Sequence, residues 1–179
     1  NTFSSSAKVI AASAASLSVD AVLNSSPVIA SQGSSQGAVV VLGSNGQTGK
    51  LIVNILSKAN LPVRPTFART PPTDVPKDGS VLEPKVADVT NPESLRDAIE
   101  GANAVIFASS ASKKGGNAEK VDCIGVKNTA EACLALKVPQ LVVISSGAVT
   151  RPKSLGYKIT NLFGGIMGFK LKGEDALRD

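Results

Sequence analysis

An uninterrupted apolar run, Ala38-Val39-Val40-Val41-Leu42, leads into a glycine-spaced turn, Gly43-Ser44-Asn45-Gly46-Gln47-Thr48-Gly49, which opens directly into Lys50-Leu51-Ile52-Val53-Asn54-Ile55-Leu56. A run with no polar position has no face to give to water, so it reads as a strand covered on both sides. Leu51, Ile52, Ile55, Leu56 and Ala59 recur at helical spacing, which puts strand, turn and helix in sequence. Such a turn is where α/β proteins hold a pyrophosphate. Glycines let the backbone bend sharply and let phosphate oxygens come close, while the first N–H groups and the positive end of the helix face the anion. The spacing here is Gly-x-x-Gly-x-x-Gly rather than Gly-x-Gly-x-x-Gly. The alternative reading of the same residues is a strand-to-helix turn whose glycines serve tightness alone.

The pattern continues through the chain. Leu61 to Arg69 reads as a second strand, with its prolines suited to the entry rather than the centre. A Pro-rich loop, Thr70 to Glu83, leads to a short third strand, Lys85 to Asp88. Thr90-Asn91-Pro92-Glu93 has capping-box spacing with proline in the first turn, and predicts a helix over Glu93 to Glu100 that ends at Gly101. Ala104 to Ala108 is a fourth buried strand, a loop through Lys113-Lys114-Gly115-Gly116 precedes a helix over Asn117 to Lys137, and Gln140 to Ser145 is the fifth strand. The alternation predicts an α/β protein with a doubly wound parallel sheet of five strands in order 3-2-1-4-5.

Ligands of open α/β sheets sit beyond the carboxyl ends of the strands, which singles out Gly43 to Gly49, Arg69, Asp88 with Val89, Ala108 to Ser110, and Ser145 with Ser146. A carboxylate at the end of the second strand would accept bonds from a ribose diol, whereas the guanidinium of Arg69 suits a 2′-phosphate. The residues therefore favour NADP(H) over NAD(H), a solvated loop arginine being the alternative. Asp88 reads equally as a turn carboxylate and as an adenine contact. Ser145 and Ser146 read as site hydroxyls or as hydrogen-bonding linkers.

Composition removes several function classes. With 179 residues and 42% hydrophobic side chains, the chain fits one domain with a real core. Its net charge of +5 comes with 3% aromatic residues and no interleaved basic stripe, so nucleic-acid binding has no sequence support. No stretch is long and apolar enough to predict a transmembrane helix. Cys123 and Cys133 fall on one predicted helix, about 15 Å apart along its axis, and cannot pair. Free thiols point to a reducing compartment, and the absence of histidine argues against a metal site and a histidine-based triad. Residues 1–37 differ: they are rich in Ser and Ala, with Lys8 and Asp20 as the only charges. Such a segment is expected to need support from its own domain or a partner, and reads either as the remains of an organelle-targeting region or as a tail. The expected organisation is thus an extended arm, 1–37, and a nucleotide-binding domain, 38–179.

Taken in order, Val40 to Gly49, Phe67-Ala68-Arg69, Ala87-Asp88-Val89, Val105 to Ala108, Val121 to Asn128 and Leu141 to Ser146 resemble the atypical short-chain dehydrogenase/reductases of the NmrA-like, NAD(P)-binding Rossmann type. The resemblance implies that Gly43, Asn45, Gly46, Gln47, Thr48 and Gly49 hold the pyrophosphate, Arg69 the 2′-phosphate, and Asp88 and Val89 the adenine. Ala108 would border the nicotinamide-side ribose, and Asn128 matches a helix asparagine that is often structural. Standard members add a serine and a Tyr-x-x-x-Lys pair. Ser145 or Ser146 suits the first role, but Tyr157 is followed four residues on by Asn161. Lys170-Leu171-Lys172-Gly173-Glu174 resembles the lysine-bearing helix of atypical relatives. The implied catalytic set is Ser146, Tyr157 and Lys172, with no metal. Residues 173–179 resemble the helix that precedes the family's substrate-binding lobe, so the domain is expected to stop before that lobe.

Two functions follow. The first expectation is a non-catalytic peripheral, assembly or scaffold subunit of a larger complex, anchored by its arm; plastid relatives serving photosynthetic complexes suggest the plastid stroma, with the cytoplasm as the other location. Its NADP(H) site would be occupied or empty. The alternative is an NADPH-dependent reductase or epimerase. The arm separates them: seated on a partner it favours the scaffold, and laid on its own sheet it favours the enzyme.

Overall fold

A computed structural model of the chain describes residues 8–13, 37–69, 71, 75, 79–111, 116–162 and 164–178. The rest of the arm, residues 112–115, 163 and 179, and most of the loop from Thr70 lie outside the described residues. Strands β1 (Lys8–Ser13), β2 (Ala38–Leu42), β3 (Val63–Phe67), β4 (Lys85–Val86), β5 (Ala102–Phe107) and β6 (Gln140–Ser145) form one parallel sheet in the order β1-β6-β5-β2-β3-β4. The five strands from Ala38 onward are the expected 3-2-1-4-5 arrangement. β1 adds a sixth, in register from Lys8 opposite Gln140 to Ser13 opposite Ser145.

The helices are α1 (Gln47–Lys58), α2 (Pro92–Ile99), α3 (Gly125–Ala135), which continues a π-helical segment over Glu119–Ile124, α4 (Leu155–Asn161) and α5 (Ile166–Asp175). Alternate residues of β2 feed two cores. Val40 and Leu42 pack with Leu95, Ile99, Val105, Phe107, Val126 and Cys133; Val39 and Val41 pack with Val53, Leu56, Val63, Ile106 and Val142. Burial pushes the Cys133 thiol up to about 12, so it stays protonated and inert at neutral pH.

Local chemistry sets the helix ends. Asn91 caps α2, its Oδ1 accepting from the N–H groups of Glu93 and Ser94 at 3.0 and 3.3 Å. At the other end, Arg64 donates to the carbonyls of Ala98 and Glu100 at 3.0 and 2.9 Å, and Gly101 leaves the helix with φ +71°.

Two expectations need correction. Pro65 sits at the centre of β3, opposite Val41, rather than at its entry. The odd-numbered residues of β3 face outward: Val63 donates to Ser80 and Phe67 accepts from Ala87. β4 pairs only with Thr66 and Phe67, so no ladder bond is lost at proline. On α1, Leu51 and Ile55 are exposed, while Gly49, Val53 and Leu56 are buried. The close approach of Gly49 to the preceding loop sets this rotation.

Residues 8–13 therefore cover the outer edge of β6. Deleting residues 1–36 bares that edge, and is expected to lower Tm by at least about 2–4 °C, equivalent to about 1 kcal/mol, with concentration-dependent self-association. A truncated chain that stays monomeric in sedimentation with unchanged Tm would show that β1 adds nothing to stability.

Candidate functional site

The sheet's carboxyl edge is organised around the turn after β2. Gly43 has φ +85°, and a Cβ there would stand 2.9 Å from both the amide nitrogen and the Cα of Ser109, so the loops after β2 and β5 touch backbone to backbone. A Cβ on Gly49 would meet the Gly43 carbonyl group and lie 2.9 Å from the Cα of Ser44. The first turn of α1 is thus pressed against the strand end. Buried Ser44 locks the turn to β3: its Oγ donates to the Val41 carbonyl at 2.9 Å and accepts the Thr66 N–H at 3.1 Å, and its own N–H reaches the Thr66 carbonyl at 3.0 Å. Thr66 Oγ1 donates to the same Val41 carbonyl at 2.9 Å.

The start of α1 carries no side-chain cap and no acidic residue in its first turn. Asn45, Gly46 and Gln47 are exposed and Thr48 is half-buried. Helices leave their first N–H groups without intrahelical partners, so a rigid, uncapped start at a sheet's carboxyl edge has the polarity to hold an anion.

Other expected contacts fall around this edge. Arg69 is exposed just beyond β3. Asp88 is engaged within its own turn, where Oδ1 accepts from the Thr90 N–H at 2.9 Å and the Thr90 hydroxyl at 2.8 Å. The Val89 side chain belongs to the core, and its carbonyl accepts from Asn128 Nδ2 at 3.1 Å. Asn128 thereby ties α3 to the loop after β4. Ala108 donates its N–H to the Leu42 carbonyl at 2.9 Å, which keeps the loop after β5 beside the glycine turn.

No hydrogen bond or ion pair joins the expected Ser146, Tyr157 and Lys172 to one another. Ser146 lies just after β6, where its carbonyl accepts from the Val149 N–H in a turn. Tyr157 and Asn161 face α5; Asn161 Oδ1 accepts from the Gly168 N–H at 3.3 Å. A Cβ on Gly168 would lie 3.8 Å from the Tyr157 hydroxyl. Lys172 is exposed, its ammonium 5.2 Å from the centre of the Phe169 ring.

A different set is gathered. The fully buried Asp122 carboxylate accepts from Ser110 Oγ at 2.7 Å and the Ala111 N–H at 2.9 Å, and pairs with Lys170 Nζ at 2.8 Å. Ser145 Oγ donates to the buried Glu174, whose other oxygen pairs with Arg178 at 3.2 Å. A Cβ on Gly173 would lie 2.5 Å from the Asp122 carbonyl, so α5 approaches the π-helical segment without a side chain between them. The sequence signal for this set is helical spacing. Ile166, Met167, Lys170, Gly173, Glu174 and Leu177 share one face, and Lys172 stands on the other.

A parallel sheet with an uncapped, glycine-framed helix start at the carboxyl end of a central strand defines a dinucleotide-binding domain of the Rossmann type. The chain belongs to the NAD(P)H-binding family, whose pattern matches residues 43–179.

Solved structures share the fold. The oxidoreductase ylbE from Lactococcus lactis aligns with TM-score 0.66 at 21% identity, over 78% of this chain and 62% of that one. Vestitone reductase from alfalfa, Medicago sativa, gives 0.59 at 20%, over 79% and 51%. A mutant uronate dehydrogenase from Agrobacterium tumefaciens complexed with NAD gives 0.59 at 19%, over 79% and 55%. The chain thus spans about half to three-fifths of the lengths of these structures.

Asp122 carries the testable consequence of this geometry. Asp122→Ala leaves Lys170 without its buried partner and is expected to cost about 3–5 kcal/mol in denaturant unfolding. Asp122→Asn, which retains hydrogen-bonding capacity, should cost less. Equal and negligible losses would show that the cluster does not hold α5 in place.

Proposed function

We propose that the carboxyl edge of this sheet binds NADP(H), and that the protein is a reductase or epimerase acting on a small organic substrate. The observation that carries this reading is the start of α1, held by the Ser44 bonds, pressed against Gly43, and free of a capping side chain or a first-turn carboxylate. Family membership supports a nicotinamide cofactor, and structures sharing the fold include a reductase and a dehydrogenase complexed with NAD.

In this reading Gly43 to Gly49 receive the pyrophosphate, with Gln47, Thr48 and Gly49 presenting backbone N–H groups and the Asn45 side chain beside them, while the Gly46 N–H closes the turn onto the Gly43 carbonyl at 3.0 Å. Arg69 takes the 2′-phosphate. Asp88 and Val89 border the adenine through the loop after β4, and Ala108 borders the nicotinamide-side ribose. When bound, the nicotinamide supplies or accepts hydride. Ser146 orients a substrate oxygen, and Tyr157 is the candidate proton donor. Lys170, turned inward and held by Asp122, and exposed Lys172 are the two candidates for holding the cofactor side of the site.

Service as a scaffold rested on the arm being held by a partner. The described part of the arm, Lys8–Ser13, occupies the edge of this domain's own sheet, which favours the enzyme reading.

Arg69→Ala is expected to weaken NADPH binding by about tenfold or more, the value of one charge-assisted phosphate contact, while changing NADH affinity little. Calorimetry with both cofactors measures this, and equal losses would show that Arg69 does not read the phosphate. For the lysines, NADPH consumption with a panel of carbonyl compounds is expected to fall at least about tenfold in Lys170→Met and less than about twofold in Lys172→Ala. The opposite ranking would return the role to Lys172.

A further inference from the structure

The outer face of α4 is inverted relative to an ordinary surface helix. Tyr157 and Asn161, four residues apart, turn toward α5, while Leu155 and Ile159 on α4 and Leu162 directly after it, at i, i+4 and i+7, face outward with relative exposures of 73%, 49% and 81%. Exposed Arg151 and Lys153 lie in the turn that leads into α4, and exposed Lys158 lies on it. Along the sequence, residues 132–173 contain six Lys and Arg and no Asp or Glu; of these, Lys170 is paired with buried Asp122, and Glu174 and Asp175 follow directly on α5. Arg151, Lys153 and Lys158 are the exposed charges on α4 and in the turn that leads into it.

We propose that this face docks on an anionic lipid surface, with Leu155, Ile159 and Leu162 entering the interface and Arg151, Lys153 and Lys158 meeting lipid phosphates. Exposed Leu and Ile bordered by Lys and Arg is the chemistry of an interfacial helix, and long basic side chains keep their charges at headgroup level while the helix lies in the plane. A stable protein interface buries about 1,200–2,000 Å² in total, far more than three side chains on two turns supply. A second copy of the chain would bring like charges together. A fluid anionic surface needs neither a large area nor a complementary shape.

The test is co-sedimentation of the 179-residue chain with vesicles of phosphatidylcholine alone and of phosphatidylcholine mixed with phosphatidylglycerol, at low and high salt. The expected result is binding at least about tenfold stronger to the anionic vesicles, weakened by salt. Leu155→Asn with Leu162→Asn should reduce binding at least about tenfold, as should Lys153→Glu with Lys158→Glu. These side chains are exposed, so Tm and far-UV circular dichroism should match the unsubstituted chain. Three results would overturn the proposal: no binding to anionic vesicles, equal binding to neutral ones, or full binding by the double leucine variant. A dimer in sedimentation that Leu162→Asn converts to monomer would also overturn it, by assigning the face to a second copy.

Discussion

Strand β2 has no polar face. Val39 and Val41 fill one side of the sheet, Val40 and Leu42 the other, and all four are buried. Both faces must therefore be covered, and parallel neighbours require crossovers that supply the cover. This single demand puts β3 and β5 on either side of β2 and helices on both layers. It also puts the Gly43 turn at the middle of the sheet's carboxyl edge, where strand connections diverge in opposite directions. A ligand cleft opens at such a point because adjacent loops leave to opposite sides.

Polar bonds then decide how that edge is held. Ser44 satisfies the backbone groups left by the sharp turn, and Asp122 does the same for the loop after β5 by accepting from Ser110 and Ala111. Lys170 and Glu174 extend the hold to α5, through Asp122 and Ser145 respectively. Buried charges in such a position cost desolvation and are retained where each has a partner. The edge is therefore a set of loops fastened to one another, while the first turn of α1 is left uncapped.

Much of this was legible in the residues. The apolar runs and glycine or proline punctuation located all five strands of the domain, and Asn91-Pro92 located the start of α2, because these signals act within a few residues. The glycine turn was legible because backbone geometry demands small residues there. Pro65 was harder: its tolerance depends on β4 being two residues long, which is a property of the neighbour. Asp122 carried no local sign of its role, since its partners come from the loop after β5 and from α5. Lys172 was singled out by a short motif, while the helical period of the surrounding apolar residues turns its neighbour Lys170 inward to Asp122.

By itself, the sequence determined the order of strands and helices, the two-sided core and the anion-compatible turn, since each depends on periodicity or backbone restrictions within a short window. Tertiary structure decided that Lys8–Ser13 completes the sheet edge, that Lys170 meets Asp122, and that α4 and the turn directly after it present Leu155, Ile159 and Leu162 outward. Those outcomes depend on which distant groups share a surface. The first glycine turn thus stands as a framed helix start that the fold keeps open, with the chemistry around it set by residues far along the chain.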